Sequence, residues 1–215
     1  MDQETTFYLV RHGEADHNIR RILDSFPGNP TIVLTDSGKM QAKEAGEEIS
    51  HSGADLLFAS PMRRTRETAE IISELCGGLS IVFDKRLRET DVGIWNGKSA
   101  DEFWKRYPTP SIRLDGNDEE NIEGFVDERA RLAEFLADIL IGENRGKRIV
   151  IVSHGDPIEQ LHGIMVGEDV STAMMGWSPK TGSVLRVEVP AGFRDEMIKR
   201  EPSLRVAGPD DMLSV

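Results

Sequence analysis

The feature that most constrains the fold is a pair of apolar, β-branched runs that each end in His-Gly. Residues 7–14 read FYLVRHGE and residues 149–156 read IVIVSHGD. A short run of this kind, bounded by glycine, is typical of a buried strand. In open α/β sheets the ligand site lies at the carboxyl ends of the strands. We therefore expect His12 and His154 to meet at that edge, although 142 positions (154 − 12) separate them in the chain.

The residue before the first of these histidines is Arg11. An arginine presents a rigid fork of donors that matches phosphate oxygens. An imidazole beside such a fork suggests phosphoryl chemistry with His12 as the nucleophile. Taken alone, His12 is better explained as a histidine that is hydrogen-bonded in a loop.

Apolar periodicity, helix caps and glycine or proline breakers predict alternating strands and helices. The predicted strands are 6–10, 56–59, 81–83, 149–152 and an edge strand at 183–189. The predicted helices are 37–50, 64–76, one starting near Ser99, one from Ile122 and 158–163. Residues 18–32 are expected to form a polar loop. This order predicts an α/β fold with three α/β/α layers and a mostly parallel central sheet.

Length and composition predict one domain over residues 1–215, with a small insertion at about 90–122. Within that insertion, residues 115–123 are acidic and are expected to be a flexible connection. The tail from about residue 202 is expected to be poorly ordered. No apolar run is long enough to span a bilayer, the acidic start does not resemble a signal peptide, and Cys76 is the only cysteine. These features favour a cytoplasmic protein with no membrane partner.

The net charge of −12, from 38 acidic and 26 basic residues, argues against nucleic acid as a partner. An anionic substrate then requires a local concentration of positive charge. The sequence provides one, because seven arginines fall within a few short segments of the chain: Arg11, Arg20, Arg21, Arg63, Arg64, Arg66 and Arg88. A basic cleft on an acidic protein can still attract an anion.

Five strings occur in an order that matches one known family. Besides 149–156, they are 11–18 (RHGEADHN), 34–42 (LTDSGKMQA), 60–69 (SPMRRTRETA) and 87–97 (LRETDVGIWNG). Together they resemble the histidine phosphatase superfamily, which has the phosphoglycerate-mutase-like fold, over about residues 7–189. The resemblance implies a small phosphorylated substrate and a phosphohistidine intermediate on His12.

The resemblance also implies roles for other residues. The expected catalytic set is Arg11, His12, Arg64, Glu89 and His154, and the expected substrate-binding set is Arg11, Asn18, Arg64, His154 and Gly155. Arg64 is favoured over Arg63, since the family pattern places Thr-Ala four and five residues after the arginine. His154, as imidazolium or as a neutral donor, would bond a nonbridging phosphate oxygen.

Glu89 is the expected general acid, which protonates the leaving oxygen. Glu14 and Asp91 are its rivals; the family pattern assigns Glu14 to structural hydrogen bonds, and Asp91 fits a loop cap. We predict no metal and no organic cofactor, because the spacings of His12 to His17 and of His154 to His162 match no recognised ligand pattern.

Two departures bear on which member of the family this is. Mutases of the family carry a tyrosine three residues after the acid, where this chain has Val92. They also carry two adjacent arginines in the insertion, where this chain has no such pair, since Arg106 and Arg113 are seven residues apart. Residues 118–120 add negative charge where a carboxylate-bearing substrate is expected to pass. The sequence therefore favours a phosphomonoesterase. The alternatives are a phosphoglycerate-mutase-type isomerase and, from another class, a non-catalytic phosphate-ligand binder.

The aromatic residues of the insertion have two interpretations. Trp95, Phe103, Trp104 and Tyr107 form either an aromatic lip or a small core of the insertion. We expect Phe103 and Trp104 to belong to the small core of the insertion.

Overall fold

The central sheet has five strands. A computed structural model of the chain describes residues 4–141, 144–174 and 177–201. The strands are β1 (Thr5–Arg11), β2 (Leu56–Ala59), β3 (Ile81–Phe83), β4 (Arg148–Ser153) and β5 (Val184–Val189). Their order is β3-β2-β4-β1-β5. Every pairing is parallel except that of β5 with β1, so the predicted mostly parallel sheet and its edge strand are confirmed. The predicted disorder of the tail lies outside the described residues.

Within the described residues, eight α-helices connect and cover the strands. They are α1 (Asp16–Arg20), α2 (Asp36–Ser50), α3 (Arg63–Leu75), α4 (Ala100–Arg106), α5 (Phe125–Ile139), α6 (Gly155–Val166), α7 (Val170–Ala173) and α8 (Phe193–Arg200). The predicted helices are confirmed with shifted ends. Helix α1 overlaps the predicted polar loop at 18–32, and α7 and α8 were not predicted. Across the described residues, no helix is long and apolar enough to cross a membrane.

The core consists of two apolar layers, one on each face of the sheet. Phe7 and Leu9 of β1 face the layer formed with α5, α6 and α8. Tyr8 and Val10 face the layer formed with α2 and α3. Successive strand residues point to opposite faces, so a strand covered on both sides is apolar throughout. This explains why the two runs that precede His-Gly contain almost no polar residue.

The insertion packs as a small cluster beside the carboxyl end of the sheet. Phe103 is fully buried with Val92, Tyr107 and Ile122, as expected for a core residue. The expectation for Trp104 is wrong, because its side chain is 45% exposed and borders a cavity. The expected flexible connection at 115–123 is also wrong. Asn117 and Ile122 exchange backbone hydrogen bonds of 3.0 and 2.9 Å, which close a turn.

Two glycines allow the end of β1 to approach the start of α2. A Cβ on Gly13 would lie 2.2 Å from the carbonyl oxygen of Gly38, and a Cβ on Gly38 would lie 1.9 Å from that of Glu14. Both contacts are with backbone, which cannot move aside. The contact fixes the chain directly after His12. Thr35 completes the junction as the N-cap of α2, since its Oγ1 accepts a hydrogen bond of 2.9 Å from the Gly38 N–H.

Candidate active site

A cavity of about 560 Å³ opens at the carboxyl ends of β1 and β4. These strands are neighbours, and Arg11 at the end of β1 is paired with Ser153 at the end of β4. The two His-Gly strings therefore meet, as expected. The insertion forms one wall and α6 another. The lining includes Arg11, His17, Asn18, Glu89, Trp104, Arg113, Gly155, Asp156, Glu159 and Trp177.

His12 directly follows Arg11, which lines this cavity, and is itself fully buried. Its Nδ1 is 2.7 Å from the carbonyl oxygen of Gly13, and its Nε2 is 3.0 Å from Nε of Arg64. A carbonyl only accepts and an arginine only donates. The ring is therefore the neutral tautomer with its proton on Nδ1 and a lone pair on Nε2. Burial, then the charges of Arg64 and Arg11, lower the pKa of His12 well below 6.5.

Arg64 in the first turn of α3 provides that hydrogen bond and is itself held by Asp24. Its Nη1 donates to Asp24 Oδ2 at 2.6 Å and its Nη2 donates to the Asp24 carbonyl at 3.0 Å. Arg63 points outward to Glu67, and Arg66 lies over the ring of Phe83. Of the three arginines at the start of α3, Arg64 is the one that reaches His12.

Arg11 and Gly155 lie side by side at the cavity. Arg11 Nη1 donates to the carbonyl of Pro179 at 2.7 Å, and its buried Nε has no hydrogen-bond partner among the described residues. A Cβ on Gly155 would lie 3.5 Å from the Arg11 guanidinium carbon, which is ordinary contact. Gly155 also begins α6, whose first N–H groups add a partial positive charge.

His154 is the N-cap residue of α6 and is fully buried. Its ring centroid lies 5.3 Å from that of His12. Its Nε2 is 2.8 Å from Ser60 Oγ, and its Nδ1 is 3.9 Å from Glu89 Oε2. Burial, followed by the charge of Arg64, lowers the pKa of His154 well below 6.5. Of the two expected forms, the free site therefore favours the neutral donor.

Glu89 borders the cavity close to His154. Burial, and next the negative charge of Asp156, raise its pKa to about 7, against the opposing charge of Arg64. Near neutral pH this carboxyl can therefore both give and take a proton. The rivals are engaged elsewhere. Glu14 Oε1 accepts from Thr35 Oγ1 at 2.7 Å, and Asp91 Oδ1 accepts from the Gly93 N–H at 2.9 Å.

Asn18 borders the cavity but is tied to its own helix. Its Oδ1 accepts a hydrogen bond of 3.0 Å from the Ala15 N–H, and its Nδ2 lies 3.2 Å from His17 Nε2. His17 is a third histidine of the site, which sequence reasoning missed. Its ring centroid is 5.6 Å from that of His12. Burial, followed by the charges of Arg64 and Arg11, lowers the pKa of His17 to about 2.

The carboxylates around the cavity differ from those expected. Residues 118–120 do not line it, and Glu120 instead accepts hydrogen bonds from Trp95 Nε1 and Tyr107 Oη. Asp24, Asp156 and Glu159 line it, and none of them was predicted. The sequence could have indicated the two carboxylates of α6, since positions 156 and 159 fall on one face of a helix that starts after His154.

Arg113 of the insertion also lines the cavity. Its guanidinium carbon lies 4.3 Å from the ring centroid of Phe125, and its Nη1 is 3.5 Å from Asp156 Oδ2.

Within residues 4–141, 144–174 and 177–201, no group of three or more His, Cys, Asp or Glu side chains is arranged to hold a metal ion.

The fold and the site define an α/β protein in which two arginines and two buried histidines meet beside a cavity at the carboxyl edge of its sheet. The sequence model of the histidine phosphatase superfamily (branch 1) matches residues 7–194. This chain belongs to the histidine phosphatase superfamily.

Similar proteins carry two kinds of name. A probable phosphoglycerate mutase GpmB of Erwinia tasmaniensis is 32% identical over 169 residues, which are 74% of each chain. The protein of that name from Citrobacter koseri is 35% identical over 168 residues, again 74% of each. Among solved structures, Bacillus stearothermophilus YhfR is 28% identical with a TM-score of 0.74, covering 86% of this chain and 91% of that one.

A second solved structure is a phosphoserine phosphatase from Entamoeba histolytica in complex with 3-phosphoglyceric acid. It is 24% identical with a TM-score of 0.67, covering 85% of this chain and 89% of that one. At this identity the likeness shows the shared fold.

Proposed function

We propose that this chain is a phosphomonoesterase that hydrolyses a small phosphorylated metabolite through a phosphohistidine on His12. The observation that supports it most strongly is the fixed tautomer of His12. The Gly13 carbonyl orients the ring, and the lone pair on Nε2 faces the site of the arginines. A buried neutral imidazole whose Nε2 carries a lone pair can act as a nucleophile once the Arg64 donor turns from it to the phosphate.

In the first step, Nε2 of His12 attacks phosphorus in line with the leaving oxygen. A bound phosphate takes over the Nε–H donor of Arg64, which then bonds a phosphate oxygen instead of Nε2. Arg11, the neutral ring of His154 and the first N–H groups of α6 supply further donors to the same oxygens. Glu89 gives its proton to the leaving oxygen as the P–O bond breaks.

In the second step, the Glu89 carboxylate removes a proton from water, which attacks the phosphorus bonded to His12. The P–N bond breaks, inorganic phosphate leaves, and both residues return to their starting forms. No metal is required for this sequence of steps. Water is the acceptor in this proposal because Val92 and a single Arg113 leave few groups to grip a second anionic substrate.

The second candidate is a phosphoglycerate-mutase-type isomerase. It is supported by the names of the GpmB relatives, which are 32% and 35% identical to this chain. Against it, Asp156 on the cavity wall adds negative charge, which disfavours a substrate that carries a carboxylate besides its phosphate.

The experiment that tests the nucleophile is phosphate labelling from a ³²P-labelled monoester. We expect an acid-labile, base-stable label on the wild-type protein, and neither label nor turnover in His12→Ala. His51→Ala is the matched control, since His51 is an exposed histidine at the far end of α2. Label that persists in His12→Ala would contradict the assignment.

The acceptor is tested with 3-phosphoglycerate and a trace of 2,3-bisphosphoglycerate. We expect release of inorganic phosphate to account for the substrate consumed. Rapid formation of 2-phosphoglycerate without matching phosphate release would favour the isomerase instead.

A further inference from the structure

The hydroxyl of Thr90 lies between two carboxyl groups at the cavity wall. Thr90 is buried, and its Oγ1 is 2.7 Å from Glu128 Oε2 and 3.2 Å from Asp156 Oδ2. Its backbone N–H also contacts Glu89 Oε1 at 3.2 Å. One threonine therefore links the expected general acid to two carboxyls that the proposed steps do not use.

The hydroxyl has one proton to donate, so both carboxyls cannot be ionised acceptors. For both contacts to be hydrogen bonds, one of the carboxyls carries a proton and donates it to Oγ1. Glu128 fits that role, because it is fully buried and its Oε1 has no hydrogen-bond partner among the described residues. Burial raises the pKa of Glu128 well above 4.5, with Asp156 adding to the shift and Arg131 opposing it. The order of donation is then Glu128 to Thr90 to Asp156.

Of these three hydrogen-bonded residues, Asp156 is the one that carries a negative charge. Arg113 Nη1 lies 3.5 Å from its Oδ2, and its side chain is 25% exposed. It also occupies the first turn of α6, where the helix dipole favours an anion. The charge therefore has a fixed position, between Thr90 on one side and Arg113 on the other.

The charge of Asp156 acts on Glu89 across Thr90. It raises the pKa of Glu89, whereas Arg64 and Arg11 lower it. Glu159 is the other carboxyl of the wall; burial, and next the charge of Asp156, raise its pKa to about 8. Near pH 7, Glu159 is thus mostly neutral, and Asp156 is the main source of negative charge facing Glu89.

We propose that Asp156 is a positioning residue for the reaction: held by Thr90 and Arg113, its negative charge keeps a proton on Glu89 for delivery to the leaving oxygen. The proposal rests on the proposed function, since Glu89 gives that proton as the P–O bond breaks and then takes one from water. Nothing in it requires a contact between Asp156 and the substrate.

The test is a pair of titrations of Asp156→Asn, a nearly isosteric change that removes the charge. The first follows the ¹³C carboxyl signal of Glu89, assigned with Glu89→Gln. We expect its midpoint to move from about 7 to lower pH by roughly one unit, since a like charge has been removed. An unchanged midpoint would overturn the proposal.

The second titration is the pH profile of kcat/KM for an alkyl phosphate, whose leaving group needs a proton. We expect the basic limb to move down with Glu89, so that the rate at pH 7 falls about fivefold while the rate near pH 5 changes less than about twofold. An equal loss at both pH values would indicate a structural role and overturn the proposal.

Two variants serve as controls. Glu159→Gln removes a carboxyl of the same wall that is mostly neutral at pH 7, so the basic limb should stay in place. Glu128→Gln offers an N–H donor to Thr90 in place of the protonated carboxyl, so the profile should be retained. A limb that shifts as much in Glu128→Gln as in Asp156→Asn would overturn the order of donation from Glu128 through Thr90 to Asp156.

The two titrations separate this inference from the function on which it rests. If the wild-type protein hydrolyses no phosphomonoester but the Glu89 signal still shifts in Asp156→Asn, the proposed function fails and the electrostatic link stands. If hydrolysis is present and the signal does not shift, the link fails and the function stands.

Discussion

A single guanidinium joins the nucleophile to a buried carboxylate. Arg64 donates from Nε to His12 and from both Nη atoms to Asp24, and both members of the ion pair are nearly inaccessible to solvent. Breaking a buried ion pair from one side is strongly destabilising because it leaves the other charge without compensation. Arg64 therefore matters for stability as well as for anion binding.

We expect Arg64→Ala to weaken inhibition by phosphate or vanadate strongly and to lower the free energy of unfolding by about 3–5 kcal/mol. Urea denaturation and inhibition constants measure the two effects. Arg63→Ala is the matched control, since it loses an exposed pair with Glu67 worth about 0.3–0.5 kcal/mol and an exposed hydrogen bond to the Pro30 carbonyl. A larger effect on inhibition from Arg63 than from Arg64 would show that the wrong arginine has been placed in the site.

Glu89→Gln separates acid catalysis from positioning. The variant has no proton to give, so alkyl phosphates, with poor leaving groups, should lose roughly two to four powers of ten in kcat. Aryl phosphates, whose leaving groups need no proton, should lose far less. Steady-state rates on one ester of each kind provide the measurement, and equal losses would contradict the role of Glu89 as the acid.

The positions of site residues that follow directly on an apolar strand could be predicted from the sequence. The positions of site residues that depend on tertiary packing could not. Arg11, His12 and His154 follow apolar runs, so their position at the edge of the sheet could be derived from the sequence. Asp24 lies in a polar segment, and its burial depends on Arg64 arriving from 40 positions away. No local sequence pattern predicts the contact between Asp24 and Arg64.

At the scale of elements, the contact between β1 and α2 fixes the loop that contains His12, the proposed nucleophile.

Strands were easier to predict than helices in this chain, since strands buried on both faces are continuous apolar runs. Helix α8 was missed because only Phe193 and Met197 of its eight residues are buried. An apolar pair four residues apart in a charged segment is too weak a signal for a helix.

We expect Gly13→Ala to disrupt this contact, because the added Cβ would lie 2.2 Å from the backbone oxygen of Gly38. Overpacking of this kind costs about 1–3 kcal/mol or more, and the displaced loop should also reduce turnover. Thermal unfolding and kcat are the measurements. Gly192→Ala is the control, since a Cβ there meets nothing within 4 Å. Wild-type stability of Gly13→Ala would contradict the close approach.

At the scale of the whole molecule, the site buries two sets of shifted ionisable groups with opposite effects on stability. His12, His17 and His154 have pKa values lowered from 6.5, so below that pH the unfolded chain binds protons that the folded chain does not. Stability then falls as the pH falls.

The carboxyls of Glu89, Glu128 and Glu159 act the other way. Their pKa values are raised from 4.5, two of them to about 7 and about 8, so the folded chain keeps protons that the unfolded chain releases. Stability contributed by these groups is lost as the pH rises through 7 and 8.

We therefore expect the free energy of unfolding to be greatest at mildly acidic pH, between about 4.5 and 6.5, and to decline as the pH rises to about 8. Urea titrations across this range provide the measurement. Glu128→Gln should reduce the alkaline decline, since one of the three carboxyls no longer releases a proton. Stability that rises steadily from pH 5 to 8 would contradict the buried neutral carboxyls.

The place of β1 in the sheet has a consequence for how the protein is made. The strand that leads to His12 is synthesised well before its two neighbours, β4 and β5, which begin at residues 148 and 184. The Gly182 N–H contacts the carbonyls of both Arg11 and His12. During translation, the nucleophile therefore stays without its neighbouring strands until nearly the last of the described residues has left the ribosome, and the catalytic edge forms only then.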